Sequence, residues 1–198
     1  MSLRRTFKNS GILVLLAVLA TLAVSGCALD GRDNLKIISQ TELASGAEPY
    51  FFSGDMTYQV QESRQLNPFD VEDVQYLAGL KTAQSIPGNE MWFGVFLWAK
   101  NQSGHIETTT DHFTMTDSSG ATYYPVKLNA AVNPYAWTSQ TLSPDGIEPS
   151  ADSTAGYGPI GGGLILFELP VSVYSNRPLT LDVYGAAGQK ASTISLDL

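Results

Sequence analysis

The sequence predicts an all-β fold, an antiparallel β-sandwich, on three observations. Apolar and polar residues alternate with a period of two in several short runs. Turn-forming residues separate those runs. No long stretch of the C-terminal three-quarters repeats apolar residues at helical spacing.

The elements follow in order. Met56, Tyr58 and Val60 alternate with Thr57, Gln59 and Gln61, the pattern of a half-buried strand. Residues 73–80 are read as another strand, and Pro87-Gly88-Asn89 breaks the chain. MWFGVFLWAK, 91–100, is apolar on both faces, so it predicts a central strand covered on each side. Asn101-Gln102-Ser103-Gly104 turns, and Phe113 and Met115 begin the next strand. Asp117-Ser118-Ser119-Gly120 is a hairpin turn, with Asp first and Gly fourth, and Tyr123, Tyr124 and Val126 return. Residues 129–162, rich in Pro, Gly, Ser and Asp, are too many for a bare connection and predict ordered loop or a short helix. Strands over 164–169, 179–184 and 191–198 close the domain, with Ile194, Leu196 and Leu198 on one face.

The N-terminus is of another kind. Arg4, Arg5 and Lys8 precede an apolar run, Ile12 to Val24, interrupted by Thr21 alone. As a helix this run would span roughly 20 Å, short of the ~30 Å of a bilayer core. A basic head, a short apolar middle and small residues at the end predict a secretory signal peptide over 1–26. Val24-Ser25-Gly26-Cys27 then resembles the lipobox of bacterial lipoproteins, and Cys27 is the one cysteine of the chain. The resemblance implies that the Cys27 thiol receives a diacylglyceryl group and that a peptidase cuts before it. Lipid on Cys27 would then tie the protein to the extracytoplasmic side of a bacterial cell membrane. More than one acyl chain is needed for a stable anchor. An acylated Cys27 leaves no thiol for a disulfide, so the fold must rest on its core.

The chain carries 11 basic and 19 acidic side chains, a net charge of −8. Cleavage would leave eight basic side chains against nineteen acidic ones, a net charge of −11. That balance argues against nucleic acid as a partner and against lying flat on anionic lipid. Residues 27–50 read as the lipidated cysteine and a polar tether with one apolar cluster at Ile37 and Ile38, and 51–198 as the sandwich domain. About twenty flexible residues reach roughly 25 Å.

A second resemblance rests on three strand-and-turn patterns: Val95-Phe-Leu-Trp-Ala-Lys-Asn101, Phe113-x-Met115-x-Asp117-x-x-Gly120-x-x-Tyr123, and Gly163-x-Ile165-x-Phe167-x-x-Pro170. Over roughly 55–198 the chain resembles uncharacterised bacterial lipoproteins with an immunoglobulin-like sandwich, similar in fold to the immunoprotective extracellular proteins. The resemblance implies an immunoglobulin-like antiparallel β-sandwich and a non-enzymatic envelope module. It brings no catalytic or cofactor residues.

Motifs for chemistry are sparse. Gly156-Tyr-Gly158-Pro-Ile-Gly161 matches G-x-G-x-x-G, but Pro159 lies inside it and a strand, not a helix, follows. A hydrolase would need His105 or His112 as a base beside a serine. Zinc would want more N or S donors than the chain offers. Copper could use His105, His112 and Met115, although Met115 aligns with Phe113 as core. Calcium could use Asp30 and Asp33, or Asp70, Glu72 and Asp73. No cofactor is expected.

The aromatic residues allow two readings. Trp92, Phe96 and Trp98 share one face of the central strand, with Gly94 between them, and Tyr135 and Trp137 lie in the long segment. Either residues 129–162 fold over this face and make it core, or Trp92, Phe96, Trp98 and Trp137 form an open patch for an envelope protein or glycan. The sequence as a whole predicts a lipid-anchored binding or scaffolding module. A metal-handling protein, for copper or calcium, and a hydrolase are the rival readings.

Overall fold

β4 (Glu90–Asn101) is buried along most of its length because both of its faces are covered. β3 (Met56–Leu66) pairs with it on one side and β10 (Gly163–Pro170) on the other, both antiparallel. β2 (Tyr50–Ser53) extends this sheet beyond β3, and β9 (Ile147–Glu148) meets β4 at Ala99 and Lys100. The second sheet runs β1 (Ile37–Ser39), β12 (Lys190–Leu196), β11 (Leu179–Tyr184), β6 (Phe113–Thr116) and β7 (Thr122–Tyr123). A short ribbon joins β5 (Glu107–Thr108) to β8 (Thr141–Leu142), and α1 (Thr154–Tyr157) is a single turn. The computed structural model describes residues 37–39, 50–185 and 188–196, all within one compact unit, 34–198. The leader 1–26, Cys27, Asp30, Asp33 and most of the 27–50 tether lie outside the described residues.

The two sheets share one core. Phe51, Tyr58, Phe93, Val95, Leu97 and Phe167 from the first sheet pack with Met115, Leu181, Val183 and Ile194 from the second. The fold is therefore an antiparallel β-sandwich, with one parallel pair. That pair sets Ile37, Ile38 and Ser39 beside Thr193, Ile194 and Ser195, so the apolar cluster within the tether forms a strand at the sheet edge.

A bulge decides which side chains face which layer. Between Val60 and Glu62 the register of β3 on β4 slips by one residue at Gln61. Before it, Tyr58 and Val60 oppose Ala99 and Leu97 and face the shared core. After it, Glu62, Arg64 and Leu66 oppose Phe96, Gly94 and Trp92 on the outer face. The strand continues to Leu66, five residues past the alternation read from the sequence.

Residues 73–80 are not a strand. They form successive tight turns, with Val74 N–H donating to Asp70 O at 3.0 Å and Tyr76 N–H to Asp73 O at 2.9 Å. Asp73, Tyr76 and Leu77 are buried, a spacing of three and four, so the period is helical rather than two. Arg64 holds this segment through Asp73 Oδ1 at 2.6 Å, and Asn67 N–H donates to the other carboxylate oxygen at 2.8 Å. Residues 117–120 form the expected hairpin turn between β6 and β7, with Gly120 at φ +87°. The 129–162 segment contains β8, β9 and α1, ordered loop with one helical turn as expected. Among the described residues no helix is long and apolar enough to cross a membrane.

Candidate functional site

The four aromatic residues do not form one open patch. Trp92 is 2% exposed and Phe96 fully buried. They join a second cluster on the outer face of the first sheet with Leu66, Tyr76, Leu77, Tyr135 and Leu164. The cover comes from two segments. Tyr76 packs edge-on against Phe96 at 4.9 Å and against Tyr135 at 4.7 Å, and Trp92 Nε1–H donates to Ala83 O at 3.0 Å. Buried Asn133 ties the two segments together by donating to Tyr76 O at 2.7 Å. Leu164 and Leu66 fill the space beside Gly94. Trp98 lies past this cover, half-buried, with Tyr50 6.5 Å away between ring centroids. Trp137 belongs to the other layer. It packs against the sandwich core at Tyr58 and Phe113 and donates to Thr110 O at 2.8 Å. Its outer part borders a groove of about 540 Å³ whose walls include Phe113, Val126, Lys127 and Leu166.

A polar constellation lies at the end of β4. Ser53 pairs with Met56, so Gly54 and Asp55 make a two-residue hairpin turn, with Gly54 at φ +61° supplying the left-handed conformation. The turn presents Asp55. Asn101, fully buried at the end of β4, donates to His105 O at 2.8 Å and to Leu142 O at 3.1 Å, and accepts Ser103 N–H at 2.9 Å. One side chain thus fixes the 102–106 loop against β8. Glu107 comes from β5, opposite Leu142. His105 Nε2 then lies 2.8 Å from Glu107 Oε1 and 4.0 Å from Asp55 Oδ2. One donor atom from each residue falls within 4.8 Å of the other two. A cavity of about 220 Å³ adjoins them, walled by Ser53, Tyr58, Thr108 and Gln189 among others.

Beneath this corner lies a buried carboxyl. β9 pairs Glu148 with Ala99, which turns its side chain inward, 2% exposed. Thr109 Oγ1 donates to Glu148 Oε2 at 2.5 Å and accepts Gln140 N–H at 2.8 Å. Burial pushes the Glu148 carboxyl up to about 7, against the opposing hydrogen bonds from Thr109 and the Thr138 backbone. Burial also raises the Tyr58 hydroxyl to about 12, and that hydroxyl accepts Thr110 N–H at 3.0 Å.

Neither of the metal sets that the sequence predicts within the described residues is assembled. Met115 is buried in the sandwich core, while the His112 side chain is 70% exposed beside Asp111, so the copper set does not converge on one site. In the calcium set, Asp73 is committed to Arg64 and Asn67, and Asp70 Oδ1 accepts Glu72 N–H at 2.8 Å as part of the turn. Asp30 and Asp33 lie outside the described residues. The glycine motif is a helix end: Gly156 lies in α1, Gly158 caps it and Gly161 has φ +68°, with β10 following. That placement has neither the preceding strand nor the following helix of a dinucleotide site.

No protein-family model matches the chain, and no curated protein matches it. Among solved structures, the chain is similar to the candidate lipoprotein ycdA of Bacillus subtilis, with 10% identity and a TM-score of 0.45 over 76% of this chain. The match spans only 38% of that protein. The yjhA protein of Bacillus subtilis is similar at 9% identity and a TM-score of 0.43, over 82% of this chain and 100% of that one. An uncharacterised β-sandwich protein of Clostridium difficile 630 is similar at 13% identity and a TM-score of 0.40, over 74% of this chain and 88% of that one.

Proposed function

We propose that this protein is a lipid-anchored component of a bacterial cell envelope, and that its sandwich acts as a binding or scaffolding module outside the membrane. One observation carries the reading: Val24-Ser25-Gly26-Cys27 closes a basic-then-apolar leader on the chain's single cysteine. Lipid on that sulfur would substitute for a membrane-spanning segment. The acidic balance of the chain suits a body held off an anionic surface.

A binding role fits the surface chemistry better than hydrolysis. The imidazoles of His105 and His112 lie against the carboxylates of Glu107, Asp55 and Asp111, and the Ser103 hydroxyl bonds the His105 backbone rather than its ring. The groove beside Trp137 is lined by apolar side chains together with Lys127 and Asp111, a surface suited to a protein or glycan partner.

The test is fractionation of cells expressing the full chain and its Cys27→Ala variant. The native chain should sediment with membranes and leave them only with detergent, while the variant should appear in the soluble extracytoplasmic fraction. Identical partitioning of the two would refute the anchor.

A further inference from the structure

We infer that Asp55, His105 and Glu107 form a surface site for a divalent transition-metal cation of the zinc class. The inference goes beyond the envelope role and does not depend on the lipid.

Three separate parts of the chain bring the donors together. Asp55 sits at the tip of the β2–β3 turn, His105 in the 102–106 loop and Glu107 on β5. Each is placed by contacts outside the cluster. Ser53 paired with Met56 closes the turn. Asn101 grips the His105 carbonyl at 2.8 Å. β8 pairs with β5 at Glu107. The backbone under the site is therefore ordered before any ion arrives, which lowers the entropic cost of binding.

The spacing fits a cation after small side-chain rotations. A tetrahedral ion with ligands at about 2.1 Å separates them by roughly 3.4 Å. The imidazole and Glu107 stand at 2.8 Å and the imidazole and Asp55 at 4.0 Å, so they bracket that value. Asp55 and His105 are 63% and 66% exposed and can turn, while Glu107 is more enclosed at 32%. The surface here also gathers two carboxylates around a single imidazole, in a chain with 19 acidic and 11 basic side chains. A divalent ion neutralises that arrangement.

The donor set selects the ion. Carboxylate oxygens ligate zinc as well as the N or S donors weighed from the sequence, and one imidazole nitrogen with two of them, without thiolate or thioether, suits zinc and its divalent neighbours rather than copper(I). Calcium takes six to eight oxygen ligands, and an imidazole is not among its usual donors. Three protein ligands leave a fourth position for water or a partner's carboxylate, and Asp55 and Glu107 also line the adjoining cavity.

The test is equilibrium dialysis of the full chain, detergent-solubilised and without a histidine tag, against Zn²⁺, followed by elemental analysis. The native chain should bind one equivalent. His105→Ala and Glu107→Gln should each weaken binding at least tenfold, and His112→Ala should not. Asp55→Asn, on an exposed turn tip, gives an independent variant if either of the others loses its native circular dichroism, and it too should weaken binding. No stoichiometric zinc at 100-fold excess over protein would overturn the proposal. So would binding that all three site variants retain, or Ca²⁺ competing with Zn²⁺ at equal concentration.

Discussion

Thr109 Oγ1 donates a 2.5 Å hydrogen bond to Glu148 Oε2 where only 2% of the glutamate is exposed. The pair joins β9 to the strand-like segment leading from β5, and Thr109 also accepts the Gln140 N–H. Burial disfavours the charged form of this carboxyl, which makes the fold sensitive to pH.

The sign of that sensitivity follows from the direction of the shift. Burial raises the Glu148 carboxyl from 4.5 to about 7, so the folded chain holds a proton that the unfolded chain releases. This contribution is fully present below pH 4.5, declines as pH rises to about 7 and is absent above it. It amounts to about 3 kcal/mol. Glu148→Gln stays neutral throughout. Urea unfolding between pH 4 and 8 should show the native chain losing stability relative to the variant by that order, and parallel profiles would contradict it.

Asp117 works in the opposite direction. Ser119 Oγ donates to its carboxylate at 2.6 Å, as do Tyr123 Oη at 2.9 Å and the Ser119 and Ala121 N–H groups. With the Ser119 hydroxyl bond the largest cause, the carboxyl falls to about 2. Its contribution is present above the ordinary carboxylate range and is lost as pH falls through about 2. Asp117→Asn should lower the melting temperature at pH 7, with the difference narrowing toward pH 2. A difference independent of pH would contradict the assignment.

The aromatic residues of β4 should separate by cost. Trp92→Ala and Phe96→Ala remove fully packed side chains and should each cost about 3–5 kcal/mol. Trp98→Ala, at a half-buried position, should cost under about 2 kcal/mol. Chemical denaturation ranks the three, and a Trp98 cost equal to that of Trp92 would mean that the outer cover extends further than Tyr76, Tyr135 and Leu77.

Asn101 links stability to the proposed metal site. Asn101→Ala removes the donor to His105 O, Leu142 O and Ser143 O in a fully buried position. A loss of about 2–3 kcal/mol is expected. Zinc binding by the folded variant should weaken as the 102–106 loop loosens. Unchanged zinc affinity would show that the loop is held by other contacts.

Much of the sandwich was legible because its signals are local. Alternation marks Met56 to Val60, two apolar faces mark 91–100, and an Asp-x-x-Gly turn marks 117–120; each needs only neighbouring residues. The misread segment, 73–80, failed because Tyr76 and Leu77 follow a helical period too short to stand out, and the anchoring Arg64 is nine residues away from Asp73. The β3 bulge at Gln61 moved Arg64 and Leu66 to the outer face, a consequence of pairing that no single strand reveals. The same holds for the polar corner. Asp55 and His105 are fifty positions apart and meet because Met56 pairs with Asn101. Glu148 lies in a polar stretch with no burial signal of its own, and only its pairing with Ala99 turns it inward.

Cys27 carries the proposed place of the protein at the envelope, and mass spectrometry of the protein isolated from host membranes tests it directly. The predicted result is an N-terminal peptide that begins at residue 27 and carries a diacylglyceryl group on its sulfur. A peptide with an unmodified thiol at that residue, or with residues 1–26 still attached, would contradict the assignment of the protein to the envelope surface.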